Sequence, residues 1–233
     1  MGNLTSNPIL STRDLRSFTA RAEKRLLVSI AARLPFWVGP DHLTALGLLS
    51  MAGAGLFYPR YKASPLFLLG VNLFLFLNWF GDSLDGTLAR VRQKQRPRYG
   101  FYVDHLVDAF GAIFLLIGLA ASGLVSAYSA LALLVAYLLL QIHIALKAHT
   151  THVFQIAFGG IGGTEARILL AILNFALIAW PALAALATPA AWGMAAGLVA
   201  VVIVDGVRTG RALDREERLL PPGGGLAAPI GPC

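Results

Sequence analysis

The chain has 233 residues, 57% of them hydrophobic and 13% charged, with a formal net charge of +7. Soluble globular domains carry about 25% charged residues, so this composition cannot clothe a water-facing surface and excludes an ordinary soluble domain. Lipid is the solvent that suits it.

Residues 1–38 are expected to form a cytoplasmic N-terminal segment. They carry charges throughout and lack a compact apolar run followed by a small-residue cleavage site, so a cleaved signal peptide is not expected. Within them, residues 12–34 place Leu15, Phe18, Ala22, Leu26, Ile30 and Leu34 at helical spacing opposite a basic face. Such an amphipathic juxtamembrane helix either lies along an anionic cytoplasmic leaflet or caps the cytosolic ends of a helical bundle. The sequence leaves both open.

Six apolar stretches follow, at about 43–59, 64–82, 101–122, 124–146, 166–180 and 182–204. Each approaches the roughly 20 residues needed to cross a 30 Å hydrocarbon core. Gly, Pro, Ser and Thr interrupt several of them, as membrane helices tolerate; the fifth stops at Trp180-Pro181. The expected fold is an all-α integral membrane protein with six transmembrane helices in one domain, residues 39–215. Residues 216–233 are expected to be a flexible tail, rich in Pro and Gly from 219 onward. The single cysteine, Cys233, excludes an intrachain disulfide.

The basic residues sort by side. Arg13, Arg16, Arg21, Lys24, Arg25 and Arg33 precede the first span; Arg90, Arg92, Lys94, Arg96 and Arg98 follow the second. Lys147 and Arg167 lie between the fourth and fifth, and Arg208, Arg211, Arg215 and Arg218 follow the sixth. Only Arg60 and Lys62, of 19 basic residues, fall on the other side. Basic loops stay in the cytoplasm, so a multi-pass protein with both termini cytoplasmic is expected, in a bacterial inner membrane or its equivalent. This sorting accounts for the positive charge without a nucleic-acid partner.

Carboxylates are costly at membrane depth, roughly 2.5–3.5 kcal/mol each on insertion scales. Yet Asp82 and Asp85 stand i,i+3 at the end of the second span, with Gly86 and Ala89 continuing the stripe. Gly100, Asp104 and Asp108 are successive i,i+4 positions on the next helix. A short basic loop, residues 92–99, is expected to return the chain so that the two stripes face each other. Four facing carboxylates repel unless cations sit among them, and their hard oxygens suit Mg²⁺ or Mn²⁺. The small residues leave room beside them for a ligand. A cation transporter or channel would need the carboxylates but not the small residues.

The stretch Asp82-Ser-Leu-Asp85-Gly86-Thr-Leu-Ala89-Arg90, then Gly100-Phe-Tyr-Val-Asp104-His-Leu-Val-Asp108, resembles the signature of the CDP-alcohol phosphotransferase (CDP-alcohol phosphatidyltransferase) family. That signature reads D-x-x-D-G-x-x-A-R, a spacer, then G-x-x-x-D-x-x-x-D, and all eight fixed positions are present. The spacer here has nine residues, one more than the commonest form. Upstream, Pro40-Asp41-His-Leu-Thr44 looks like the family's P-N-x-L-T element, with Asp41 where Asn is usual. The resemblance implies six transmembrane helices and a reaction of phospholipid biosynthesis. A substituted phosphate passes from a CDP-alcohol donor to the hydroxyl of a lipid or small-alcohol acceptor, with release of CMP. It implies that Asp82, Asp85 and Asp104 hold metal, with two ions expected, and that Asp108 is the general base and also touches metal. Gly86 and Ala89 would line the cytidine side, Gly100 would leave room beside them, and Arg90 would pair with phosphate or brace the acidic cluster. Membrane lipids surround such a protein, and a homodimer is compatible with it.

The resemblance leaves two donor classes, CDP-diacylglycerol and CDP-choline or CDP-ethanolamine. Asp104-His105 and Gly162-Gly-Thr-Glu165 are similar to elements of the choline and ethanolamine phosphotransferases, although Gly163 replaces a Pro. Against that, Lys147 and Arg167 stand where phosphatidyl-transferring relatives can hold an acceptor's phosphate, or they are plain cytoplasmic anchors. His149 and His152 stand i,i+3 without a Cys or third metal ligand at suitable spacing, and with His143 they read as interfacial polar residues.

Overall fold

The computed structural model describes residues 20–151 and 162–219. Among them the protein is all-helical: α1 (Ala20–Arg33), α2 (Pro40–Phe57), α3 (Phe67–Val91), α4 (Pro97–Ser122), α5 (Ala127–Thr151), α6 (Gly163–Ala179) and α7 (Ala184–Leu219). Short 3-10 turns at Tyr58–Lys62 and Pro181–Leu183 join α2 to α3 and α6 to α7.

Among the described residues four segments are long and apolar enough to cross a membrane: Phe67–Val91, Pro97–Ser122, Ala127–Thr151 and Pro181–Leu219. The expected six are therefore not reached on length and composition. The two that fall short have visible reasons. The first turn of α2 is polar (Pro40, Asp41, His42) in a helix of 18 residues, and α6 has only 17. At 1.5 Å per residue these span about 27 and 26 Å.

Other boundaries also move. The second apolar stretch continues helically from 82 to Val91, so one helix carries Asp82, Asp85, Gly86 and Ala89. Its end is a left-handed residue, Gln93 (φ 53°), with Lys94 N–H donating to Ala89 O at 2.9 Å. The turn to α4 occupies 92–96 rather than 92–99, because Pro97 begins the next helix. Residues 216–219 are still helical within α7; the rest of the expected tail lies outside the described residues.

The juxtamembrane helix is described from Ala20, so Leu15 and Phe18 of its expected face lie outside the described residues. The buried face is Leu27 and Ala31, packed with Leu43, Leu84 and Leu88. Leu26, expected on that face, is instead half exposed at 52%. Ile30 and Leu34 of the expected stripe do pack against this cluster, with Leu27 and Ala31 as its buried positions and only Leu26 turned outward. The helix packs on α3, the kind of contact that the bundle-capping alternative requires.

Small residues set how the helices cross. A Cβ on Gly81 of α3 would lie 2.8 Å from Gly47 N of α2, and one on Gly118 of α4 would strike the backbone of Gly55. Backbones this close are how helices associate where lipid removes the hydrophobic drive between them. As a result α2 packs against both α3 and α4, whereas α3 and α4 do not pack along each other; α6 lies on α3, and α5 lies on α4 and α7. At the end away from α1, Tyr58 Oη donates to Asn174 Oδ1 (3.3 Å), and Asn174 Nδ2 donates to Asn72 Oδ1 (2.7 Å). Buried polar groups here are satisfied by one another, and they tie α6 to α3.

Candidate active site

The aspartate stripes of α3 and α4 share one centre although the two helices do not pack along each other. α2 packs against both, and α5 and α6 add side chains. Asp82 Oδ2 accepts from Arg167 Nη2 of α6 at 2.7 Å, the pair being 26% and 18% exposed. Arg167 Nε donates to Asn78 Oδ1 at 2.6 Å, and Asn78 Nδ2 donates to Gly47 O at 3.0 Å. Asn78 is one helical turn before Asp82, so the polar stripe of α3 begins a turn deeper than the carboxylates alone indicate.

Asp85 is held by α2: its Oδ2 accepts from Thr44 Oγ1 at 2.6 Å, and its Oδ1 faces Gly86 N–H. Asp108 Oδ2 stands 3.5 Å from Gln141 Nε2 of α5, which also donates to Tyr137 Oη at 3.2 Å. Asp82, Asp85 and Arg167 all act electrostatically on Asp108. Tyr137 lies within the fields of Asp108, Arg167, Asp82 and Asp104. Five helices thus contribute to one polar centre.

The remaining expected residues surround it. Arg90 donates to Thr87 Oγ1 at 3.0 Å on its own helix and acts electrostatically on Asp85. A Cβ on Gly86 would meet only Arg90 Nη1, at 3.5 Å, and one on Gly100 nothing within 4 Å, so space is open beside both. Ala89 is partly buried. His105 turns back on its own helix, Nδ1 2.9 Å from Phe101 O and ring centroids 4.3 Å apart.

Asn78, Tyr137 and Gln141 are the site residues that the sequence reading passed over. Their signal was present: each is a polar side chain inside an apolar run, and Tyr137 and Gln141 are i,i+4. From the sequence, Arg167 reads only as an anchor or as a ligand for an acceptor's phosphate. Glu165 has a local role, its Oε2 accepting Gly162 N–H at 2.9 Å to cap α6 two residues before Arg167. Lys147 and His143 turn the other way, donating to Asp205 Oδ2 of α7 at 2.7 and 2.8 Å. His149 is exposed on α5, and His152 lies outside the described residues.

Among the described residues no three His, Cys, Asp or Glu side chains stand close enough together to hold a metal. The donor chemistry nevertheless fits a hard divalent cation. The four aspartates offer only oxygen, and a cationic guanidinium stands on Asp82 where positive charge is needed. Asp41 and the loop before α4, the two places where the chain departs from the signature, meet in an ion pair between Asp41 Oδ1 and Arg96 Nη2.

No curated protein compared with the chain matches it. The family profile described as CDP-alcohol phosphatidyltransferase matches residues 37–204. That stretch runs from just before α2 into α7 and includes all four aspartates and their partners Thr44, Gln141 and Arg167. With well over half of its length matched, the chain belongs to the CDP-alcohol phosphatidyltransferase family.

Proposed function

We propose that this integral membrane protein transfers a substituted phosphate from a CDP-alcohol to an acceptor hydroxyl, releasing CMP, in a metal-dependent step of phospholipid synthesis. The family is one of CDP-alcohol-using transferases in that chemistry. The observation that carries the reading is the convergence of four aspartates from two helices that do not pack on each other. Asp82, Asp85 and Arg167 act electrostatically on Asp108, and Asp104, Asp108 and Asp82 on Tyr137, so the carboxylates of both helices share one centre.

In this reading Asp82, Asp85 and Asp104 hold Mg²⁺ or Mn²⁺, with Asp108 at the edge of the same centre. The cation, when bound, offsets the charge of the donor pyrophosphate and of the departing CMP. Asp108 takes the proton of the acceptor hydroxyl as the acceptor oxygen bonds to the phosphorus distal to cytidine and the bond to CMP breaks. Gln141, with Tyr137 behind it, faces the Asp108 carboxylate. Gly86, Ala89 and Gly100 leave backbone approachable for the nucleotide, and Arg90 sits within reach of phosphate. Six crossings with both termini cytoplasmic complete the proposal; α2 and α6 are the short ones, each packed on the longer α3.

The Gly-Gly-Thr-Glu element gives the choline-type donor little support, because Glu165 has a capping task of its own. The test offers purified protein radiolabelled CDP-diacylglycerol or CDP-choline with a panel of serine, glycerol phosphate, inositol phosphate and diacylglycerol. One pairing is expected to yield a labelled phosphodiester and CMP in Mg²⁺ and nothing in excess EDTA. Full turnover in EDTA would remove the metal, and no CMP from any pairing would remove the transfer.

A further inference from the structure

The two aspartate-bearing helices are consecutive, yet they do not pack along each other. Something other than direct contact must fix the distance between Asp82 and Asp85 on one and Asp104 and Asp108 on the other. Part of the answer is α2, which packs on both. The rest lies at the cytosolic end, where the 92–96 turn joins α3 to α4.

Two arginines tie that turn down. Arg92 spreads its guanidinium over the segment between α1 and α2, donating to Leu34 O (3.1 Å), Pro35 O (2.8 Å), Phe36 O (3.3 Å) and Val38 O (2.5 Å). Arg96, the residue just before α4, pairs with Asp41 in the first turn of α2 and stacks on Tyr99 with its guanidinium carbon 4.1 Å from the ring centroid. A cavity of about 340 Å³ opens beside the Asp41–Arg96 pair, lined by Pro40, Asp41, Lys94, Gln95 and Arg96. One turn beyond Asp41, Thr44 holds Asp85 at 2.6 Å. A chain of direct contacts therefore runs from the start of α4, through Arg96 and Asp41, to the α2 turn that holds an α3 carboxylate.

We propose that Asp41 and Arg96 are positioning residues, a latch that fixes the start of α4 against α2 and so sets the spacing of the two aspartate pairs. This rests on the reading that those aspartates take up a divalent cation. Arg92 anchors the turn, and the Asp41–Arg96 pair is its adjustable end. Both side chains are more than half exposed, at 58% and 51%. Their substitution therefore acts on geometry without opening the core.

Charge reversal separates a latch from a simple field effect. Asp41→Arg adds positive charge near the cluster and Arg96→Asp adds negative charge. A field alone would weaken cation binding in the first and tighten it in the second. A latch loses in both, and the double variant Asp41→Arg/Arg96→Asp regains it. The measurement is Mn²⁺ binding to the full chain in detergent, by paramagnetic resonance, with nitroxide labels at the exposed positions 91 and 102 reporting the spacing of α3 and α4. Each single variant is expected to bind Mn²⁺ about two- to fivefold more weakly and to broaden the label distance, as befits an exposed pair. The double variant is expected to return to the parent value. An Arg96→Asp protein that binds as tightly as the parent or tighter would overturn the latch, as would a double variant no better than the worse single. If the parent itself takes up no Mn²⁺ while the distances respond as expected, the latch stands and the metal reading falls.

Discussion

Four aspartates of one charge and one length are given different work by their neighbours. Asp85 is fixed by Thr44 and Gly86 N–H, and Asp82 is met by a guanidinium. Asp108 faces an amide and, beyond it, a phenol, groups that orient a carboxylate without neutralising it. Asp108→Asn is accordingly expected to retain donor binding and to lose at least about 100-fold in transfer, since an amide cannot accept the hydroxyl proton. Asp85→Asn should weaken metal and donor binding together. Calorimetric donor affinity beside product formation distinguishes them; equal loss of binding in both would mean that the four act as a single cage. Asp205 gives a contrasting case, because it accepts from both Lys147 and His143 and touches none of the four. Asp205→Ala should remove the carboxylate that two part-buried donors share and cost about 1–3 kcal/mol of stability, read as a lowered thermal midpoint in detergent. Metal affinity should be unchanged. The four aspartates were legible in the sequence because carboxylates in apolar helices announce themselves. Gln141 and Asn78 were not, since a single amide in a membrane helix is as readily a packing group, and only the fold shows which carboxylate or guanidinium it meets.

At the scale of helices, the sequence states length and polarity well and neighbours poorly. The break at Trp180-Pro181 appears where expected, because the residue before proline is driven out of helical geometry. What hydropathy could not give is that α2 packs on both α3 and α4, which do not pack along each other. That fact is written in glycines, whose meaning depends on what lies opposite. Gly81 and Gly118 are two points where α3 and α4 come close to the backbone of α2. Gly118→Leu should force α4 away from Gly55 and destabilise the bundle by about 1–3 kcal/mol, the usual cost of overpacking. Gly100→Ala, with nothing within 4 Å of the added carbon, should leave folding stability within about 0.5 kcal/mol. Any loss there would appear in donor affinity instead. Thermal unfolding of the two proteins in the same detergent checks the contrast; equal destabilisation would mean that the close crossing does not matter.

For the whole molecule, charge sorting and helix length make independent statements about the membrane, and both converge on α3. Its 25 residues rise about 38 Å, more than the 30 Å core. Arg60 and Lys62 precede it, and Arg90, Arg92, Lys94, Arg96 and Arg98 follow. On the proposed orientation the larger basic group lies on the cytoplasmic side, with Asp82 and Asp85 in the half of the helix nearer to it. The opposite orientation would open the carboxylates to the exterior, away from nucleotide made inside the cell. With Cys233 replaced by Ser, single cysteines at Lys62, Lys94 and Glu217, all exposed positions, report this directly in intact cells or sealed vesicles. Lys94→Cys and Glu217→Cys should react only with a reagent admitted to the cytoplasmic side, and Lys62→Cys with an impermeant reagent outside. Agreement of Lys94 and Glu217 requires an even number of crossings between them, from α4, α5, α6 and α7. Since α6 has only 17 residues, the pair also tests whether that short helix crosses. Should Glu217→Cys react from the outside while Lys94→Cys does not, α6 fails to span, and Arg167 would have to reach Asp82 from a helix that enters and leaves on one side.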